Sequence, residues 1–158
     1  MTRRAVDKAV IVAGAAFAAV PLAIVSLFVL CPFVNDRTAA GLADDVAGVP
    51  SPADTRVAER FSLAGKLTGN GNGMQYLGGV LVQSDLSSDE LDGYYAAYRK
   101  GDWDMLVDAQ TTRDLGIIDR GDYAFASDVS DTSDGRWYIV YTWGDGIAPF
   151  SWFDLRGN

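Results

Sequence analysis

Residues 9–34, AVIVAGAAFAAVPLAIVSLFVLCPFV, run for 26 positions without a charged side chain. A helix needs about 20 apolar residues to cross a bilayer, so the stretch predicts a membrane-spanning helix. Its flanks predict the orientation. Arg3, Arg4 and Lys8 precede the run against a single Asp7, whereas Asp36, Asp44 and Asp45 follow it with only Arg37 among them. Basic residues stay on the cytoplasmic side, which makes residues 1–8 a cytoplasmic tail and places everything after the helix outside the cell. A cleavable leader is the competing expectation, because Thr38-Ala39-Ala40 before Gly41 is an acceptable cleavage site. The apolar core is longer than the ~7–15 residues of such a leader. Cys31 follows the bulky Leu30, which argues against lipidation there. Pro21 is expected to weaken or kink the helix locally. The small-xxx-small pairs Gly14/Ala18 and Ala9/Ala13 are of a kind that chance supplies in an alanine-rich span.

Beyond residue 34 the chain has 158 − 34 = 124 residues, enough for one modest domain. That part carries 10 basic and 20 acidic side chains, a formal charge of −10. The bases are scattered among aspartates, so no basic patch exists to displace counterions from nucleic acid, and none is expected as a partner. The acidity equally disfavours lying flat on an anionic lipid surface. The heavy bias to Asp, Arg, Ala and Gly fits a GC-rich genome better than a function.

Residues 35–54 show no sustained apolar period and predict a flexible linker, with a reach of about 25 Å. Residues 55–158 then make an extracytoplasmic domain. Val57, Phe61, Leu63 and Leu67 alternate with polar or small residues, a strand pattern. Helix is the alternative there, since Ser51-Pro52 with Asp54 supplies helix-start signals. Two Asn-Gly pairs within Gly69-Asn70-Gly71-Asn72-Gly73 predict a hairpin turn leading to a strand over residues 74–83.

Ser87-Ser88-Asp89-Glu90 is a capping box. It predicts a helix to about Lys100 with Leu91, Tyr94, Tyr95 and Tyr98 on its buried face. A second short helix is predicted over residues 102–110, on Trp103, Leu106 and Val107. Strands are predicted over 115–118, 123–129, 137–143 and 147–155. In the third of these, Trp137, Ile139, Tyr141 and Trp143 share one face and Tyr138, Val140 and Thr142 the other, so both faces should be covered. The predicted fold class is α+β: a transmembrane helix, then an antiparallel sheet with one or two packed helices.

With no histidine, and with Cys31 inside the apolar run, Ser-His-Asp and Cys-His catalysis and His- or thiolate-bound zinc are excluded. The Gly-rich segment 69–73 lacks both a P-loop lysine and a following helix pattern, so a turn outweighs a phosphate site. Asp128, Asp131 and Asp134 bunch in one segment but miss the spacing of a calcium loop. Weak calcium binding stays open. Paired carboxylates could hydrolyse glycans, yet among 20 acids none stands out. No catalytic residue, metal or cofactor is assigned. Trp143, Phe150, Trp152 and Phe153 gather around the Gly144-Asp145-Gly146 turn and are the candidate contact residues for a ligand or partner; core filling is the alternative for such aromatics.

Gly69-Asn70-Gly71-Asn72-Gly73-Met74-Gln75-Tyr76, followed by Ser84-Asp85-Leu86-Ser87, Glu90-Leu91 and Tyr94-Tyr95, resembles small single-pass membrane proteins of unknown function from Gram-positive bacteria. The likeness spans residues 65–100, with a looser echo in Ile139-Val140-Tyr141. It implies an address and an organism type and transfers no functional residue. The expected function is a binding or assembly module at the cell envelope. It is anchored in the lipid bilayer by residues 9–34 and contacts an unknown envelope protein or glycan. A carboxylate-dependent envelope glycan hydrolase is the alternative.

Overall fold

The structure, a computed structural model, describes residues 3–70, 73–98, 105–145, 148–149 and 151–157. It is α+β, as expected. Helix α1 (Arg3–Ala47) leads into strands β1 (Thr55–Gly65) and β2 (Gln75–Ser84). Helix α2 (Ser88–Ala96), strand β3 (Leu106–Ala109) and strand β4 (Arg136–Asp145) follow. Two single 3-10 turns, Ser151–Phe153 and Leu155–Gly157, close the described chain. The sheet is antiparallel in the order β1-β2-β4-β3.

Among the described residues one helix, over Phe17–Ala47, is long and apolar enough to cross a membrane. Its surface changes character along its length. Phe17, Val20, Leu22, Val29 and Phe33 are each more than 60 % exposed, whereas Asn35, Ala39, Ala43 and Val46 are buried. The flexible linker expected over residues 35–54 is therefore corrected: helix continues to Ala47 and its last three turns pack on the sheet. Positions 35, 39, 43 and 46 follow the helical repeat. Three of the four side chains, Asn35, Ala39 and Ala43, are small or polar, which hides the repeat from a search for large apolar residues. Arg60 of β1 pairs with Asp44 on the outer side of this contact.

The close approach of helix to sheet depends on a glycine. A Cβ added at Gly78 would fall 2.3 Å from the Ala43 backbone nitrogen and 2.6 Å from Leu42 Cβ. On the opposite face, a Cβ at Gly79 would meet the Val140 carbonyl oxygen at 2.5 Å and the Phe61 ring at 2.7 Å. Two adjacent residues of one strand point to opposite faces, so this pair admits the helix on one side and a phenyl ring on the other.

The alternation predicted for β4 is observed. Ile139, Trp137 and Tyr141 join Phe61, Leu77 and Leu81 on one face, and Tyr138 and Val140 join Val80, Val82, Val46, Leu91 and Tyr95 on the other. The second group is roofed by α1 and α2. The first is roofed by the irregular segment between β3 and β4, through Leu115, Phe125 and Val129.

That roof overturns several expected elements. The strands predicted over 115–118 and 123–129 reduce to a single bridge between Asp114 and Ala124. Around that bridge, side chains and other loops meet further backbone groups of the segment. Glu59 accepts from the Ala126 and Ser127 amides, and the Asp119 and Arg120 amides donate to the Leu67 carbonyl at 2.8 and 3.1 Å. Of the helix predicted over 102–110, Trp103 lies outside the described residues, and Leu106–Ala109 form an edge strand on β4. A four-residue segment fits either period, and pairing with β4 decides it. Of the strand predicted over 147–155, Ile147 and Phe150 lie outside the described residues, and the described part forms no strand: Ser151–Phe153 and Leu155–Gly157 are 3-10 turns.

The capping box forms as predicted. The Glu90 amide donates to Ser87 Oγ at 3.3 Å, and the Ser87 amide donates to the Glu90 carboxylate at 2.8 Å. Of the predicted stripe, Leu91 and Tyr95 are fully buried, Tyr94 half-buried and Tyr98 exposed. The β1–β2 connection is a hairpin, with Gly71 and Asn72 outside the described residues. Gln75 holds its start: its Oε1 accepts from the Leu67 and Thr68 amides, both at 2.8 Å.

Candidate functional site

Helix α1 climbs the sheet in the direction of β2. Tyr76 meets Asn35, Gly78 faces Ala43, and Val80 and Val82 cluster with Val46. The end of the sheet at Gln75, Gly65 and Asp145 therefore lies beside the point where α1 loses its bare surface. The C-terminal turns arrive at that end too. Arg156 and Gly157 carbonyls accept from the Lys66 and Gly73 amides, each at 2.7 Å.

There the chain builds a buried polar clasp. The Tyr76 hydroxyl donates to Asn35 Oδ1 at 2.8 Å, and Asn35 Nδ2 donates to Asp154 Oδ2 at 2.9 Å. Arg156 closes it, reaching Asp154 at 2.7 Å, Asp36 at 2.8 Å and the Pro32 carbonyl at 3.2 Å. Tyr76, Asn35 and Asp154 are each at most 1 % exposed. Burial pushes the Asp154 carboxyl up, but hydrogen bonds from Arg156 and Asn35 outweigh it and hold it below the usual carboxylate range. Buried charge is tolerated when it is paired and hydrogen-bonded throughout. The clasp joins positions 119 residues apart, so no motif spacing in the sequence could have found it. The one local hint is Asn35, a polar residue closing an apolar run.

The predicted aromatic residues are divided between two faces. Trp143 is half-buried, edge-on to Tyr141 at 6.4 Å on the face roofed by the irregular segment. Phe153 packs edge-on against Phe28 of α1 at 5.4 Å, with Trp152 beside it at 5.7 Å. Phe150 lies outside the described residues.

Two grooves flank the irregular segment. One, of about 630 Å³, is lined by Asp114, Asp119 and Asp122 with Tyr123. Asp119 Oδ2 accepts from the Gly69 amide at 3.1 Å, so one of its three acids already has a structural task. The other, of about 290 Å³, is lined by Gln110, Val129, Arg136 and Trp137. Two of its polar groups bond within the chain: Gln110 Nε2 donates to the Thr112 and Asp114 carbonyls, and Trp137 Nε1 to the Asp131 carbonyl.

A glycoside hydrolase needs one carboxyl with a raised pKa. Glu59, Glu90, Asp128, Asp131 and Asp154 are all displaced downward. In the Asp128–Asp134 segment the carboxylates cap their own turns. Asp128 accepts from Ser130 at 2.6 and 3.1 Å, and Asp131 from the Ser133 amide at 3.0 Å. Among the described residues no three acidic or thiol side chains converge as a metal site. Comparison with protein-family models, curated proteins and solved structures gives no match.

Proposed function

We propose that the chain is a single-pass membrane protein, with residues 9–34 in the bilayer, the N-terminus in the cytoplasm and the sheet domain outside. The domain acts as a binding or assembly module for an envelope protein or glycan. The observation that carries this reading is the bare apolar surface of α1, which runs without a break into the packed domain. In water that surface would cost about 25 cal/mol for each Å²; lipid removes the cost. Orientation follows from the basic leader.

The test uses the full chain with Cys31→Ser and one new cysteine. A membrane-impermeant maleimide should label Asp122→Cys in intact cells and Thr2→Cys only after lysis. The opposite pattern would refute the topology. For binding, the full chain in detergent should co-sediment with purified envelope glycan or cross-link to one envelope protein in intact cells. Failure of both would refute the module.

The groove at Asp114, Asp119 and Asp122 favours a second reading, an envelope glycan hydrolase. Glycan turnover by the purified chain, lost in Asp114→Asn and Asp122→Asn, would replace the first reading with this one.

A further inference from the structure

The C-terminal turns carry two large apolar side chains that stay mostly exposed. Trp152 is 66 % and Leu155 70 % exposed, while no other described large apolar side chain beyond α1 exceeds 42 %. Between them, Asp154 is buried in the clasp and Phe153 lies on Phe28. The turn is thus anchored from within and presents Trp152 and Leu155 outward.

Its height along α1 is set by its contacts, which run from Phe28 through Pro32 to Asp36. The 26-residue apolar run is about 39 Å long as a helix, roughly 9 Å more than the hydrocarbon core of a bilayer. About six residues of excess therefore rise from the core into the headgroup layer. Counted from residue 9, they are 29–34, the level at which the turn packs. Tryptophan is enriched in that layer because its ring is apolar and its N–H is polar.

We infer that residues 151–157 form a foot that seats in the outer headgroup layer of the bilayer crossed by α1, with Trp152 and Leu155 inserted into lipid. The inference rests on the membrane anchoring proposed above. The ledge is continuous with the bare face of α1 through the Phe28–Phe153 contact, so one lipid surface covers both. The foot sets the height and tilt of the domain.

The full chain is reconstituted in phosphatidylcholine vesicles whose acyl chains are brominated near the headgroup end, and tryptophan fluorescence is read. Bromine should quench part of the emission of the wild type, and most of that quenching should disappear in Trp152→Phe. Far-ultraviolet circular dichroism confirms that the variant is folded. Equal quenching of both chains, retained on the vesicles after alkaline carbonate, would overturn the foot and leave the anchor standing. Release of the chain by carbonate would overturn both. Trp152 shielded from bromine but cross-linked to a second copy would overturn the foot in favour of a chain–chain contact.

Discussion

Gly78 of β2 lies so close to Ala43 of α1 that a single added carbon would stand 2.3 Å from the Ala43 backbone nitrogen. Backbone cannot retreat as a flexible side chain can, so this contact fixes how near the helix sits to the sheet.

Gly78→Ala should therefore push α1 off the sheet and destabilise the chain by about 1–3 kcal/mol or more, as overpacking does. Gly93, inside α2, has nothing within 4 Å of its missing Cβ. Gly93→Ala should stabilise by about 0.5–1 kcal/mol through helix propensity. Urea unfolding of the full chain in detergent, followed by circular dichroism, compares the two. A neutral Gly78→Ala would show that the helix is not seated on β2.

The clasp predicts an acid limit. Asp154 is held below its usual range when folded, so its contribution is complete above the unfolded value of about 3.9. It is lost as the pH falls through the lower folded value, because protonation removes the Arg156 and Asn35 bonds. Melting of the wild type should show this acid loss, and Asp154→Asn should lack that component while melting lower at neutral pH. Asn35→Ala should cost about 1–3 kcal/mol by leaving buried partners unmet. An unchanged acid profile in Asp154→Asn would refute the assignment.

Glu59 ties the roof to β1 by accepting two amides, and hydrogen bonds from Ser127 and Ala126 outweigh burial to hold its carboxyl low. Removing it in Glu59→Ala should cost about 1 kcal/mol, given its partial exposure. Hydrogen exchange at the Ala126 and Ser127 amides should quicken while β2 and β4 stay protected. Uniform quickening would mean that the roof and the sheet open together.

The hairpin connection makes a further distinction. Gly69 and Gly73 have φ of +70° and +144°, so Gly73→Ala should lower stability by about 1 kcal/mol or more from backbone strain. Gln75→Ala should also destabilise, since it frees the Leu67 and Thr68 amides. Thermal melts of the two variants are the measurement, and a stable Gly73→Ala would shift the turn's determinant wholly to Gln75.

The central strands and α2 were legible because their signals are local: alternation in β4, and Ser87 three residues before Glu90. The extension of α1 was not, because its buried positions lack bulk of their own: Ala43 is covered through the glycine opposite it, Asn35 through the clasp, and Ala39 by Tyr76 and its neighbours. Leu115, Tyr123, Phe125 and Val129 resemble strand residues, yet they roof a sheet that is already paired. The proposed aromatic cluster divided because nearness in sequence placed Trp143 beside Trp152, whereas β4 carries Trp143 to one face and the closing turns carry Trp152 toward α1.

Helix α1 passes from its bare surface to the sheet with no loop between the two, although Pro21 and Pro32 lie within it. One residue inserted among positions 18–24 would turn the domain by about 100° about the helix axis and raise it by about 1.5 Å. Compass bearing as well as height is therefore written into the length of the span. On the membrane anchoring proposed above, a twist applied to the domain would be delivered along α1 to its exposed apolar surface, as through a keyed shaft.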